Sequence, residues 1–204
     1  MSRSYWTCPP QLSYLAVMTV DPGRHQLGPG QGRLLLRTFR DGFGARAGHD
    51  LVIEVTRWSA ELTVGDDLAP AGLEVKADLH SLAVREATGG VKPLTDRDRR
   101  EIAVTARKVL GADRQPEATF TASGIKPDGS DGWRIDGTLT LGGSTRPVQL
   151  QASETGPGQY RAAGPVVQSE FGIKPYTAFM GALKVRDEVG VEARVTLGGQ
   201  DGQP

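Results

Sequence analysis

From Gly32 onward the chain alternates apolar and polar residues with a period of two, broken once, which limits it to a half-buried antiparallel sheet. The segment GRLLLRTF, 32–39, reads as a first strand. In HDLVIEVTRWSAELTV, Leu51, Ile53 and Val55 share one face, and the apolar set then moves to Trp58, Ala60, Leu62 and Val64. A one-residue slip turns every later side chain over, so this change predicts one long strand with a bulge or sharp bend near Thr56 and Arg57. Leu73, Val75, Ala77 and Leu79 then alternate with Glu74, Lys76, Asp78 and His80.

The interruption is TDRDRREIAVTARKVLG, 95–111. Thr95 is a plausible N-cap, Asp96 and Asp98 suit the first turn, Arg107 and Lys108 the last, and Gly111 the stop. Ile102, Ala106, Val109 and Leu110 fall on one face, so this helix is expected to lie on the sheet or plug one end. Alternation resumes with Phe120, Ala122 and Gly124, then Trp133, Ile135, Gly137, Leu139 and Leu141, and continues to Leu197 through turns such as KPDGSDG and GGST. The expected fold is all-β: an eight-stranded antiparallel barrel with one α-helix between strands 3 and 4. Closure buries the apolar face and removes exposed edges.

A length of 204 residues suits one domain, drawn here as 25–197, with tails at 1–24 and 198–204. The first tail is expected to be disordered or, with Met18 as an alternative start to Met1, to lie upstream of the true beginning. The predicted inner face is rich in small residues: Ala60, Ala77, Ala122, Gly124, Gly137, Ala152, Ala162 and Ala193. Native interiors are densely packed, so such a lining calls for an apolar guest. The alternative is a narrower barrel packed on its own Leu, Ile and Val.

Basic and acidic residues balance at 24 each, which argues against nucleic acid as a partner. The single cysteine, Cys8, permits neither an intrachain disulfide nor a Cys-based metal site. No run reaches the ~20 apolar residues of a spanning helix, so no stable membrane insertion is expected. Without a secretory-type N-terminus the expected location is cytoplasmic. His25, His49 and His80 lack ligand spacing, and His49 beside Asp50 is read as a strand-end histidine satisfied locally. GGSTRP and GPGQG read as turns, and no Gly-x-Ser-x-Gly elbow is present. Neither catalysis, a cofactor nor a metal is expected.

PEATFTASGI after the helix, GTLTLGGSTRPVQL, SEFGI and the final VRDEVGVEARVTL together resemble the YceI-like family, over about His25 to Leu197. The resemblance implies a lipocalin-like barrel that binds polyisoprenoids. Departures from the family bear on compartment and head group: Gly48-His49 where the family often has Lys-His, Glu170 where it often has aspartate, and an N-terminus that does not read as the secretory signal many relatives carry. The implied function is binding, sequestration or transport of a polyisoprenoid or similar long apolar molecule. The alternative is an interaction protein with a filled barrel, acting through its surface or as a homodimer.

SEFGIKPYTAF, 169–179, suits a barrel mouth. Glu170 would face solvent, Phe171 would cover the interior, and Gly172 would take a conformation other residues resist. Tyr176 and Phe179 would meet an entering chain, unless all three aromatics only pack the loop onto the barrel. The ligand-binding candidates are Phe39, His49, Leu51, Ile53, Leu79, Phe120, Ala122, Trp133, Leu139, Phe171, Tyr176 and Phe179. Candidates for a head group at the mouth are His49, Arg85 and Lys92.

Overall fold

The computed structural model describes Met18, residues 20–129 and residues 132–197. In chain order its strands are β1 Gly23–Leu27, β2 Gly32–Thr38, β3 Arg40–Asp41, β4 His49–Val55, β5 Trp58–Val64, β6 Pro70–Asp78 and β7 Leu82–Gly89. Helix α1, Asp96–Val109, precedes β8 Glu117–Pro127, β9 Gly132–Leu141, β10 Ser144–Gly156, β11 Gln159–Val167, β12 Thr177–Ala178, β13 Leu183–Val185 and β14 Glu188–Thr196. One sheet runs β1-β5-β6-β8-β9-β10-β11-β14-β2-β4-β7, and a small second one runs β12-β13-β3. All pairings are antiparallel.

The all-β class and the helix agree with the sequence reading; the strand number does not, because the large sheet has eleven strands and not eight. One bend and two strands not read from the sequence account for the difference. Two residues, Thr56 and Arg57, separate β4 from β5, and a 3-10 turn, Leu79–Ser81, separates β6 from β7. The one expected long strand is therefore two, and β7, which the alternation did not show, adds a further strand. Short β1 adds another, and α1 lies between β7 and β8. Ser81 ties the two bends together: its carbonyl accepts from the Thr56 amide at 3.1 Å and its hydroxyl from the Arg57 amide at 2.9 Å.

Following neighbours from β4 through β2, β14, β11, β10, β9, β8 and β6 leads to β5, the continuation of β4. The sheet thus curls round on itself, bringing the inward side chains of all these strands together. Leu34, Ile53, Val55, Trp58, Leu62, Leu79, Leu82, Trp133 and Tyr160 belong to one buried cluster. Met18 and Val20 join it, and the Met18 amide donates to Leu68 at 2.8 Å. The expected boundary at 24/25 is therefore corrected: it falls inside β1, and packing begins before it. Residues 1–17 and 198–204 lie outside the described residues.

Helix α1 starts as its sequence requires. The Thr95 hydroxyl accepts from the Asp98 amide at 3.2 Å, while Asp98 accepts from the Thr95 amide at 2.8 Å, a reciprocal capping box. No helix among the described residues is long and apolar enough to cross a membrane.

The outer face carries the charge. Glu192 on β14, with its side chain 4% exposed, accepts from Arg161 at 2.9 Å, Arg37 at 3.2 Å and Arg194 at 2.5 Å. Burial pushes this carboxyl upward, but the three guanidinium hydrogen bonds outweigh it and hold the pKa at about 2. A folded pKa below the ordinary 4.5 means that the resulting stability is present above about pH 4.5 and is lost as pH falls toward 2. Glu192→Gln is therefore expected to destabilise the fold at pH 7 by about 3 kcal/mol, since it leaves three arginines around a neutral group. Urea denaturation across this acid range should also show a flatter pH dependence for the variant than for the parent.

Candidate functional site

Inside the curled sheet lies a cavity of about 670 Å³. Its walls are the inward positions of the strands, exemplified by Leu36, Leu51, Ile53, Leu73, Phe120 and Leu139. One side is closed by α1, which contributes Ile102, Ala106, Val109 and Leu110, the face expected from helical spacing. Ala60, Ala77, Ala152, Ala162 and Ala193 all line it. The space exists because these positions hold a methyl group where a filled barrel would hold a larger side chain.

Polar groups gather mainly at one end, where β2 finishes and β4 begins. There the lining includes Thr38, Arg40, His49, Tyr176 and Lys184, with Asp98, Glu101 and Thr105 presented by α1. Arg40 organises this mouth: Nη1 donates to the Gly48 carbonyl at 2.8 Å and to the Thr88 carbonyl at 3.3 Å, and its own amide donates to Asp50 at 2.9 Å. His49 Nε2 lies 2.9 Å from the Lys92 carbonyl, a hydrogen bond that closes the β7–α1 loop over the strand end. Gly89 and Gly90, with φ of 82° and 72°, make that closure possible. A Cβ at Gly89 would stand 1.4 Å from Arg40 Nη1, and one at Gly90 2.2 Å from His49 Nε2.

Of the sequence candidates, His49, Leu51, Ile53, Leu79, Phe120, Trp133, Leu139 and Tyr176 line the cavity. Four do not, each for an identifiable reason. Phe39 follows inward Thr38 and so points outward, 40% exposed, with the Arg186 guanidinium 5.7 Å from its ring centroid. Ala122 sits at a register shift between itself and Gly124, after which Ile125 takes the inward position. Phe171 is 3% exposed, in a 3-10 turn, Gln168–Phe171, that lies against β10; it packs into the core with Ile173 and forms no lid. The Gly172 expectation holds, since it caps that turn at φ 73°. Phe179 is 71% exposed and projects from the rim.

The head-group candidates divide similarly. Arg85 faces outward onto Glu54, and Lys92 meets His49 through its backbone, leaving only His49 on the lining. Arg40 and Lys184 were missed. Arg40 follows the outward Phe39, and Lys184 sits on a three-residue strand too short for periodicity to show. The Gly89-Gly90 pair was the available signal of a tight approach at this end. Among the described residues no group of three His, Cys, Asp or Glu side chains is placed to hold a metal.

Comparison with known proteins agrees with this geometry. A family model for the YceI-like domain matches residues 20–197. Over 118 residues the chain is 30% identical to the protein YceI of Escherichia coli O17:K52:H18, covering 53% of this chain and 56% of that one. Over 88 residues it is 33% identical to a UPF0312 protein of Pectobacterium atrosepticum, covering 39% and 45%. The chain spans about half the length of these curated relatives. BcnA of Burkholderia cenocepacia has a similar fold, with a TM-score of 0.56, 17% identity and coverage of 81% of this chain and 96% of that one. So does a YceI protein of Campylobacter jejuni, with a TM-score of 0.56, 15% identity and coverage of 73% and 85%.

Gly137 shows that a small residue need not leave space. A Cβ there would lie 2.5 Å from Phe120 Cζ and 2.6 Å from the Thr121 carbonyl oxygen, so the phenylalanine ring and the neighbouring strand already occupy the volume. Gly137→Ala is expected to cost about 1–3 kcal/mol by pressing on that ring and on the Thr121 carbonyl. Chemical denaturation against the parent measures this.

Proposed function

The chain belongs to the family of YceI-like domains, and from that membership and the hollow barrel we propose that it holds one long apolar molecule, a polyisoprenoid or similar chain, in its interior. In this reading the protein carries or sequesters the molecule and performs no chemistry on it. The cavity carries the proposal. A volume of about 670 Å³ is within the usual size of ligand pockets, and its wall is almost entirely hydrocarbon.

Energetics support a guest. Burial of a hydrocarbon chain contributes ~0.8 kcal/mol per methylene, so a few isoprene units are worth on the order of 10 kcal/mol gross. Association and ordering costs reduce this to roughly micromolar affinity or better. The polar mouth suits a head group held near water, within reach of Arg40, His49 and Lys184. A side-chain-filled barrel, the alternative left open by the sequence, is not what the cavity supports.

Native mass spectrometry after mild purification, with organic extraction of the bound material, tests the proposal. The expected result is a co-purifying apolar molecule, or uptake of an added polyprenyl alcohol. Uptake should shift the intrinsic fluorescence, because Trp58 and Trp133 both line the cavity. Ala152→Phe combined with Ala193→Phe fills inward positions and should reduce uptake roughly tenfold or more while circular dichroism keeps its sheet signature. A clean apo mass with no uptake, or equal uptake by the filled variant, would overturn the reading.

A further inference from the structure

Five of the seven exposed large hydrophobic side chains among the described residues, Phe43, Val91, Tyr176, Phe179 and Met180, lie on three segments around the cavity mouth. These are the β3–β4 loop, the β7–α1 loop and the stretch 176–182. The segments touch: the Gly44 amide donates to Ala182 at 2.8 Å, Gly48 packs on Leu183, and Gly90 lies against His49. Phe43 and Met180 are fully exposed and line nothing. The backbone is committed to this display, because consecutive Phe179 and Met180 take φ of 51° and 54°, a region that non-glycine side chains resist. A monomeric surface seldom concentrates apolar groups in this way unless something covers them.

Charge at the rim indicates what. Arg46, Lys92 and Lys184 are exposed and stand outside the ion pairs of the described residues. Most of the nearby acids are engaged by the protein itself: Asp50 is paired with Arg40, Glu101 with Arg97, Asp98 sits in the capping box and Asp41 accepts from the Gly42 amide, while exposed Asp96 in the first turn of α1 stands outside the ion pairs of the described residues. Apolar tips flanked by free cations match the interface of an anionic lipid bilayer, with side chains entering the acyl boundary and cations meeting phosphates.

We infer that the mouth is a membrane-docking surface, which seats the open end of the barrel on an anionic bilayer so that an apolar guest passes between lipid and cavity without crossing water. The inference rests on the carrier reading for its purpose but not for its test. The full chain is sedimented with vesicles of phosphatidylcholine and phosphatidylglycerol, and uptake of a polyprenyl alcohol offered in detergent is measured separately.

The parent should co-sediment. Phe43→Ser combined with Met180→Ser should lower the bound fraction roughly tenfold, and Arg46→Glu should weaken binding and blunt its salt sensitivity. All variants should retain parental uptake from detergent. Parent protein that stays in the supernatant, binding indifferent to Phe43 and Met180, or a dimer in ultracentrifugation that the double variant dissolves would each overturn docking. Docking that fails while uptake persists leaves the carrier reading standing; uptake absent from the parent strikes the carrier reading itself.

Discussion

A sheet that curls round on itself encloses a volume set by its strand geometry, and the inward side chains either fill that volume or leave it. In this protein the inward positions are shared between large residues, such as Phe120, Trp133 and Tyr160, and a set of alanines spread over several strands. Trp133 and Tyr160 meet with ring centroids 6.2 Å apart and consolidate one region. Ala152, Ala162 and Ala193 are successive cross-strand partners, so β10, β11 and β14 present a row of methyl groups to the interior, and the hollow follows. The apolar wall, the polar mouth and the need for an apical closure by α1 are consequences of that arrangement.

The closure has a cost in backbone, and the sequence meets it locally. The β7–α1 loop must pass close over the end of β4, where Arg40 and His49 already occupy space. Gly89 and Gly90 both take positive φ, which glycine adopts without strain, and a Cβ at either would displace the Arg40 guanidinium or the His49 ring. The hydrogen bond from His49 to the Lys92 carbonyl then fixes the loop just before Thr95 begins the helix. His49 is therefore spent on structure through one ring nitrogen while its side chain still borders the cavity.

The period-two pattern made most of the wall legible, because on a half-buried strand it states which side chains point inward. The bend at Thr56 and Arg57 was legible for the same reason, since the apolar set changes parity there. What parity could not show was a bulge inside an apparently regular run. Ala122 and Gly124 look equivalent in the sequence, yet the register skips Ser123 between their partners Gly137 and Asp136, and Ile125 takes the inward place. Nor could it show reach, as when the Phe120 ring covers Gly137. SEFGI failed as a lid because four residues wound as a 3-10 turn put Phe171 into the core, a choice made by tertiary bonds such as Gln168 to the Arg186 carbonyl at 3.0 Å. The short strands β3, β12 and β13, which build the mouth, are too brief for any period to emerge.

A barrel that keeps its centre open forgoes contacts that a packed core would make, so the outer face gains weight in holding the strands together. Glu192 and Glu54 lie on either side of Leu35, each its cross-strand partner, and Leu35 is itself 3% exposed. Glu192 gathers Arg161, Arg37 and Arg194, while Glu54 gathers Arg33 at 2.9 Å and also Arg85. The two carboxylates thereby link β11, β14, β2, β4 and β7, five consecutive neighbours in the sheet. Isolated surface pairs contribute little, but a shared, largely buried acceptor leaves several donors unpaired if it is lost. Arginine suits the role because its planar fork can span to a neighbouring strand and keep its charge at any relevant pH. The stiffness this lends the wall bears directly on the interior: walls free to collapse inward would close the cavity, and walls held from outside keep it open.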